Sequence, residues 1–124
     1  MKKVILADAF ARISDHWRPR IAGELNGQYV KLVKFHGSFL WHHHDDEDEL
    51  FLVVRGQFRM EFRDRTIELA AGEFLIVPRV VEHRPVADGE VEVLLFEPAG
   101  TLNTGNVRTE RTVTELEWLE GDRG

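Results

Sequence analysis

The chain has 124 residues and a formal net charge of -6, which argues against a nucleic-acid partner because a phosphate backbone attracts a surface rich in Lys and Arg. It contains no cysteine, so disulfides, thiolate zinc sites and cysteine nucleophiles are excluded. No apolar run reaches the roughly 18 to 20 residues of a membrane helix, and Asp8 interrupts the apolar N-terminus. We therefore expect a cytoplasmic protein without a secretory signal.

The predicted elements begin with a short amphipathic helix over residues 5–14, where apolar side chains recur at helical spacing. Pro19 closes that region, and short β-like runs separated by turn residues follow. Asn26-Gly27 stands between two such runs and is a strong signal for a β-hairpin. Further turns are predicted at Arg55-Gly56, Asp64-Arg65 and residues 71–73, and Asp88-Gly89 predicts a second hairpin.

About eight or nine short strands at roughly 8 to 12 residue spacing follow from these turns, which is typical of an all-β sandwich or barrel. We expect one domain over residues 1–124, with its barrel core at about residues 20–98. The more polar tail, residues 99–124, is expected to form a lid, a dimer arm or a covering strand. Within it, Thr101 to Asn106 is either a lid over the barrel mouth or a plain surface connection.

Three consecutive histidines, followed by five consecutive acids, stand out in the middle of the chain. Successive side chains of an extended chain point to opposite faces, so His42 and His44 share a face while His43 turns away. Imidazole nitrogen suits zinc, copper, iron and nickel, and a carboxylate a few residues later can complete a first coordination shell. This stretch therefore predicts a metal site.

These residues resemble the metal-binding motifs of small single-domain cupins. The first cupin motif is a glycine, about five residues, H-x-H, three or four residues, a glutamate, six residues and a glycine. Here it corresponds to Gly37, His42, His44, Glu49 and Gly56, with the initial gap one residue shorter. In the second motif Gly72, Pro78 and His83 match, whereas Val80 replaces the second glycine and Ala87 replaces the asparagine.

The resemblance implies an all-β cupin double-stranded β-helix, a jelly-roll barrel, with the short N-terminal helix and the extended C-terminal tail as additions. It also implies that one divalent metal ion, Fe, Mn, Ni or Zn, is bound by His42, His44, Glu49 and His83. Glu47 and Asp48 compete with Glu49, which is favoured because it adjoins the apolar strand and precedes Gly56 by six residues. Three imidazoles and one carboxylate leave two positions of an octahedron open.

Three functions are compatible with these residues. The first is a mononuclear metalloenzyme of isomerase, dioxygenase or lyase type that acts on a small organic molecule through the open metal positions. The second is a non-catalytic, metal-dependent module that binds or senses a small molecule, and the third is a structural metal site. The sequence supplies no convincing general base outside the ligand set, so the catalytic residues stay unassigned.

Partners and pocket walls are less constrained by the sequence. We expect a homodimer, because the N-terminal segment or the tail from Thr101 to Leu119 is available to cover an exposed sheet edge in a second copy. His36, Met60 and Arg84 are candidates for the pocket wall. For Met60 simple core packing competes with ligand contact.

Overall fold

Alternating apolar side chains and short turns produce eight β-strands and one helix in the computed structural model, which describes residues 1–119. The helix α1 is Leu6–Ala11. The strands are β1 Arg20–Leu25, β2 Gln28–Ser38, β3 Glu49–Arg55, β4 Gln57–Phe62, β5 Thr66–Ala70, β6 Phe74–Val77, β7 His83–Pro98 and β8 Glu117–Trp118.

The long strand β7 connects the two halves of the fold. It pairs antiparallel with β2 along most of its length, with β4 through its first residues and with β3 through its last. The pairing order is β5-β4-β7-β2-β1-β8. Strand β3 pairs with the edge of β7 opposite β2, and β6 pairs with β3. Within residues 1–119 the sheet does not close. This is a jelly-roll β fold, so the predicted fold class is confirmed.

The core lies between the facing parts of the sheet and is built from the inward residues of alternating strands. In β3, for example, Phe51 and Val53 are buried while Leu52 and Val54 are only partly so. Met60 is fully buried in the same cluster, as simple core packing predicts. Burial of large apolar side chains stabilises the fold by about 2 kcal/mol each. This alternation also decides which polar side chains face inward.

The Asn26-Gly27 hairpin is confirmed. Leu25 pairs with Gln28 across it, and both turn residues have positive φ, 51° for Asn26 and 78° for Gly27. Such angles match the twist of a two-residue hairpin. The predicted turns at Asp64-Arg65 and residues 71–73 also lie between consecutive strands. At Arg55-Gly56, Arg55 is the last residue of β3 and Gly56 connects it to β4.

The predicted hairpin at Asp88-Gly89 is wrong. Both residues lie inside the continuous strand β7, and neither has a positive φ. They sit where the register between β2 and β7 shifts, between Phe35 and Gly37 on β2. The dipeptide therefore marks an irregularity at which the strand passes from one half of the sheet to the other. The same strand begins at His83.

The two ends of the described chain pack on the sheet. The helix is shorter than the predicted residues 5–14, and it buries Ala9 and Phe10 against Leu32 on the outer face of β2. In the tail, β8 pairs parallel with β1 and so acts as a covering strand on its own chain. Residues 120–124 of the predicted tail lie outside the described residues. Within residues 1–119, no helix is both long and apolar enough to span a membrane.

Candidate metal centre

Three histidines from the two motifs meet at one end of the sheet. His42 forms a bridge with His83, the first residue of β7, through backbone hydrogen bonds of 3.1 and 2.9 Å. The ring centroids of His42 and His44 lie 5.2 Å apart, while the ring of His43 turns to Asp45. His42, His44 and His83 are all buried, at 3% exposure or less.

One ring nitrogen from each of these histidines lies within 4.8 Å of the other two. Nitrogens bound to one ion at roughly 2.1 Å lie at most about 4.2 Å apart, so a small contraction is enough to bring all three onto a metal. The spacing and burial of the three rings therefore fit one metal ion. The structure thus brings His42 and His44 of the first motif together with His83 of the second.

Backbone carbonyls orient two of the rings. Nδ1 of His42 donates to the Leu40 carbonyl and Nδ1 of His83 donates to the Val81 carbonyl, each at 2.9 Å. This tautomer leaves the Nε2 lone pair of each ring free. Nε2 of His44 and Nε2 of His83 are buried without a hydrogen-bond partner among the described residues. A buried polar atom without a partner costs free energy of folding, and a ligand bound to these nitrogens would offset that cost.

Glu49 is the carboxylate nearest to the rings. It is the first residue of β3 and is buried, and its Oε1 lies 3.2 Å from His44 Nε2 and 3.8 Å from His83 Nε2. Oε1 has no hydrogen-bond partner among the described residues. The two competing acids are placed differently. Asp48 is exposed and accepts hydrogen bonds from Arg79, whereas Glu47 lies 3.9 Å from the other nitrogen of His44.

Burial keeps the three imidazoles in the neutral form, which is the form that binds a metal ion. Loss of solvation lowers the pKa of His42 to about 3, with a further contribution from His83, and it lowers the pKa of His83 to about 4. The pKa of His44 is also lowered, mainly by burial. Burial raises the pKa of Glu49. The three rings are therefore neutral near pH 7, with lone pairs available for a cation.

A narrow cavity of about 30 Å³ adjoins the site, enough for roughly two water molecules. His42 and Glu49 contribute polar atoms to its wall, and most of the rest is apolar. Trp17 stacks on Phe35 and Phe39 with ring centroids 4.4 and 4.8 Å apart. A larger organic molecule would need these side chains to move. The other lining residues are Pro19, Val33, Phe51, Pro85, Leu95 and Asn103.

Part of the tail, which we call the C-terminal strap (residues 101–113), closes one side of the site. The Asn106 amide donates to the His43 carbonyl at 2.9 Å, and the Asn106 side chain accepts from the His43 amide at 2.8 Å. Asn103 lines the cavity. Its side-chain amide donates to the carbonyl of Arg111 and accepts from the backbone N–H of Val113. Residues 101–106 therefore pack beside the site, and the lid expected from the sequence stays a prediction.

The other candidate wall residues lie elsewhere. His36 is exposed, and Arg84 is held by Glu61 through hydrogen bonds of 3.0 and 2.6 Å. Neither lines the cavity, and the same holds for Met60. Trp17 was not foreseen by the sequence analysis. It is fixed by hydrogen bonds from its backbone N–H and its Nε1 to the carbonyls of Lys34 and His36.

Sequence reasoning also missed a buried ion pair beside Glu49. Lys31 Nζ lies 2.8 Å from Glu97 Oε1, and both side chains are only 1% exposed. Burial, then repulsion from Glu49, raises the pKa of Glu97 well above its usual range. A signal was available in the strand pattern. Lys31 shares its parity on β2 with Val33 and Phe35, and Glu97 shares its parity on β7 with the buried Val93 and Leu95.

Comparisons with known proteins identify chains of similar sequence and fold. A family described as Cupin domain matches residues 29–97. The uncharacterized protein YdbB of Bacillus subtilis (strain 168) is 42% identical over 62 residues, 49% of this chain and 55% of that protein. Protein SchB of Streptomyces halstedii is 31% identical over 99 residues, 76% of this chain and 72% of that protein. The match therefore spans only about half the length of YdbB.

A solved structure is similar in both fold and sequence. The crystal structure of a cupin-2 domain containing protein from Shewanella frigidimarina superposes with a TM-score of 0.76 at 42% sequence identity. The match covers 77% of this chain and 93% of that chain. The protein NMB1881 from Neisseria meningitidis follows with a TM-score of 0.72 at 29% identity, covering 79% of this chain and all of the other.

Proposed function

This chain belongs to the cupin domain family, and from that premise we propose that it binds one divalent metal ion through His42, His44, His83 and Glu49. The observation that carries the proposal is the convergence of three buried imidazoles, one nitrogen of each within 4.8 Å of the other two, on a buried carboxylate. Buried nitrogens and a carboxylate oxygen without hydrogen-bond partners have few ways to be satisfied other than by a cation.

The donor atoms restrict the identity of the metal ion. Three nitrogens and one carboxylate oxygen suit zinc, iron, manganese and nickel, and the chain has no cysteine for softer metals. Four protein donors leave two positions of an octahedron for a small molecule. When bound, the ion supplies Lewis acidity or activates oxygen at those positions.

We infer that the occupant is a small organic molecule with an apolar body. When these side chains move to admit the molecule, Trp17, Phe35 and Phe39 offer apolar surface to its body, while its polar end faces His42 and Glu49. The described residues that line the cavity include no Lys or Arg. A strongly anionic ligand would therefore depend on the metal for its charge compensation.

On this basis the leading function is a mononuclear metalloenzyme of isomerase, dioxygenase or lyase type. The chain's contribution is to hold three neutral imidazoles and one carboxylate in place beside a small, mostly apolar cavity. The second candidate is a non-catalytic module that binds or senses a small molecule. A specific observation favours it: among the described residues lining the cavity, the titratable side chains are His42 and Glu49, both proposed ligands.

The proposed site is tested by elemental analysis of protein purified without added metal or chelator, and again after reconstitution with iron, manganese, nickel or zinc. We expect about one equivalent in the wild type and almost none in the variant His42→Ala/His83→Ala. His43→Ala is the matched control, since it changes the same histidine run but removes a ring that faces Asp45. Wild-type protein that takes up no metal in any of these preparations would contradict the proposal.

The metal found then separates enzyme from binding module. Iron directs the next assay to oxygen consumption with small apolar compounds, and zinc, manganese or nickel directs it to isomerase and lyase assays. Turnover that depends on the metal and is lost in His42→Ala/His83→Ala supports the enzyme. Saturable binding of such a compound without turnover supports the second candidate.

A further inference from the structure

A row of charged side chains crosses three neighbouring strands beside the proposed metal centre. Lys31 of β2 donates to Glu97 of β7, and the pairing of β7 with β3 places Glu97 next to Glu49. The strand register explains this placement. Leu50 pairs with Phe96, so the residues on either side of them, Glu49 and Glu97, project from adjacent strands onto the same inward face.

Both oxygens of Glu97 are buried but have different surroundings. Oε1 accepts from Lys31 Nζ at 2.8 Å, and the same ammonium donates to the Thr101 carbonyl at 3.3 Å. Oε2 has no N–H or O–H partner among the described residues. The strand register places Glu97 beside Glu49, since each lies one residue beyond the Leu50–Phe96 pair. Lys31 thus binds one carboxylate oxygen of Glu97, and the other oxygen is left on the side of Glu49.

Stability alone is a weak reason for such a pair. Removing two charges from water is expensive, and replacing a buried ion pair with apolar residues of similar volume is often neutral or stabilising. Lys31 and Glu97 point inward at positions whose strand neighbours are apolar, so an apolar pair would fit the pattern of the core. Their position beside Glu49 offers the more specific explanation.

We propose that Glu97, anchored by Lys31, is a positioning residue that holds the Glu49 carboxylate so that its Oε1 faces the rings of His44 and His83. The proposal rests on the metal site of the proposed function. Partners that orient a metal ligand typically contribute about 10-fold to 100-fold to metal affinity. The pair therefore acts through Glu49 and does not itself contact the ion.

The test measures the zinc dissociation constant by chelator competition, together with the urea midpoint, in Lys31→Met/Glu97→Leu. We expect the dissociation constant to rise by about 10-fold to 100-fold while the metal-free protein keeps or raises its urea midpoint. The matched control is Glu61→Leu/Arg84→Met, which removes an ion pair of similar length away from the cavity. That variant should bind zinc as the wild type does.

A second variant keeps the test decisive where the double variant does not fold. Glu97→Gln keeps the size of the side chain and a hydrogen bond with Lys31, but presents an uncharged amide to Glu49. We expect zinc binding weakened by about threefold to tenfold and a changed visible absorption spectrum of the Co²⁺-loaded protein, which reports the donor geometry.

The outcomes distinguish the two proposals. Wild-type affinity and an unchanged cobalt spectrum in Glu97→Gln, or wild-type affinity in the folded double variant, would overturn the positioning role and leave the metal site standing. A lower urea midpoint with unchanged zinc affinity would show that the pair serves stability alone. A wild-type protein without zinc binding would remove the metal site and the positioning role together.

Discussion

Val80 has a backbone conformation that residues other than glycine rarely adopt. Its φ is 64°, its side chain is 64% exposed, and its amide donates to the His44 carbonyl at 2.7 Å. The resemblance to cupins places a glycine here, and the left-handed turn supplies the physical reason for that glycine. We predict that Val80→Gly raises the free energy of unfolding by about 1 kcal/mol, because relief of backbone strain exceeds the entropy cost of glycine.

Urea denaturation checks this prediction. Val4→Gly is the matched control, because Val4 is also an exposed valine but has no positive φ. It should leave stability unchanged or lower it slightly. A lower urea midpoint in Val80→Gly than in the wild type would show that the side chain of Val80 contributes more than its strained backbone costs.

The depressed pKa of His42 predicts a pH dependence for the metal-free protein. The unfolded chain has the ordinary value of 6.5, whereas the folded value is about 3, so between these values the unfolded state binds more protons. The stability associated with neutral His42 is complete above about pH 6.5 and is lost as the pH falls toward 3. Between pH 6.5 and pH 5 the loss amounts to about 2 kcal/mol.

Comparison with His42→Gln isolates this effect from the opposite pH dependence of the buried carboxyls Glu49 and Glu97, whose pKa values are raised. The stability of the wild type relative to His42→Gln should fall by about 2 kcal/mol from pH 6.5 to pH 5, measured with chelator present. The difference between wild type and Val53→Ala, a core variant without a titratable group, should stay constant. A constant difference for His42→Gln would contradict the prediction.

Much of the site could be predicted residue by residue from the alternation of an extended chain. Alternation placed His42 and His44 together, and the start of an apolar strand favoured Glu49 over its acidic neighbours. The same rule, applied to charged residues within apolar strands, would have located Lys31 and Glu97. The identity of their partners depends on which strands are neighbours, and that information is not local in the sequence.

At the scale of elements, the C-terminal strap (residues 101–113) is the feature that a single substitution tests best. A Cβ on Gly105 would overlap the His43 carbonyl oxygen and lie 3.1 Å from the His42 ring, and the φ of Gly105 is 57°. Gly105→Ala should therefore displace the strap or the His42–His43 backbone. We predict a loss of about 2 kcal/mol in the free energy of unfolding and weaker metal binding.

Thermal unfolding and chelator competition with zinc measure the two effects. Gly100→Ala is the control within the tail, since a Cβ there meets nothing within 4 Å and its φ is ordinary. It should change stability by less than about 0.5 kcal/mol. Wild-type stability and zinc affinity in Gly105→Ala would show that the strap does not constrain the metal centre.

Elements with local signals were predicted well, and elements that depend on tertiary contacts were not. Asn26-Gly27 forms its hairpin because both residues adopt positive φ, whereas Asp88-Gly89 stays extended because pairing with β2, β3 and β4 stabilises a continuous β7. The strap has no periodicity to detect. Its conformation is fixed by hydrogen bonds between side chains and backbone, such as those of Asn103 and Asn106.

At the scale of the whole molecule, one face of the sheet carries more apolar surface than the chain itself covers. The strand register aligns Phe96, Leu50 and Ile76 in one outward row and Leu94, Leu52 and Phe74 in the next. Helix α1 packs over the end that includes Leu94, whereas Phe74 and Ile76 at the other end are 62% and 52% exposed. Among the described strands β6 pairs only with β3, so its outer edge is open.

The expected homodimer stays a prediction, and this face now specifies where to test it. In the structure the N-terminal helix and the tail both pack on their own chain, so we expect two copies to meet through β6 and its exposed apolar side chains. Light scattering after size exclusion should give twice the chain mass at micromolar concentration.

Phe74→Lys/Ile76→Lys should give a folded monomer, because two charges on each copy would have to be buried. Leu25→Lys, an exposed leucine on β1, is the control and should stay dimeric. A monomeric wild type would contradict the dimer, and a double variant that remains dimeric would place the interface elsewhere.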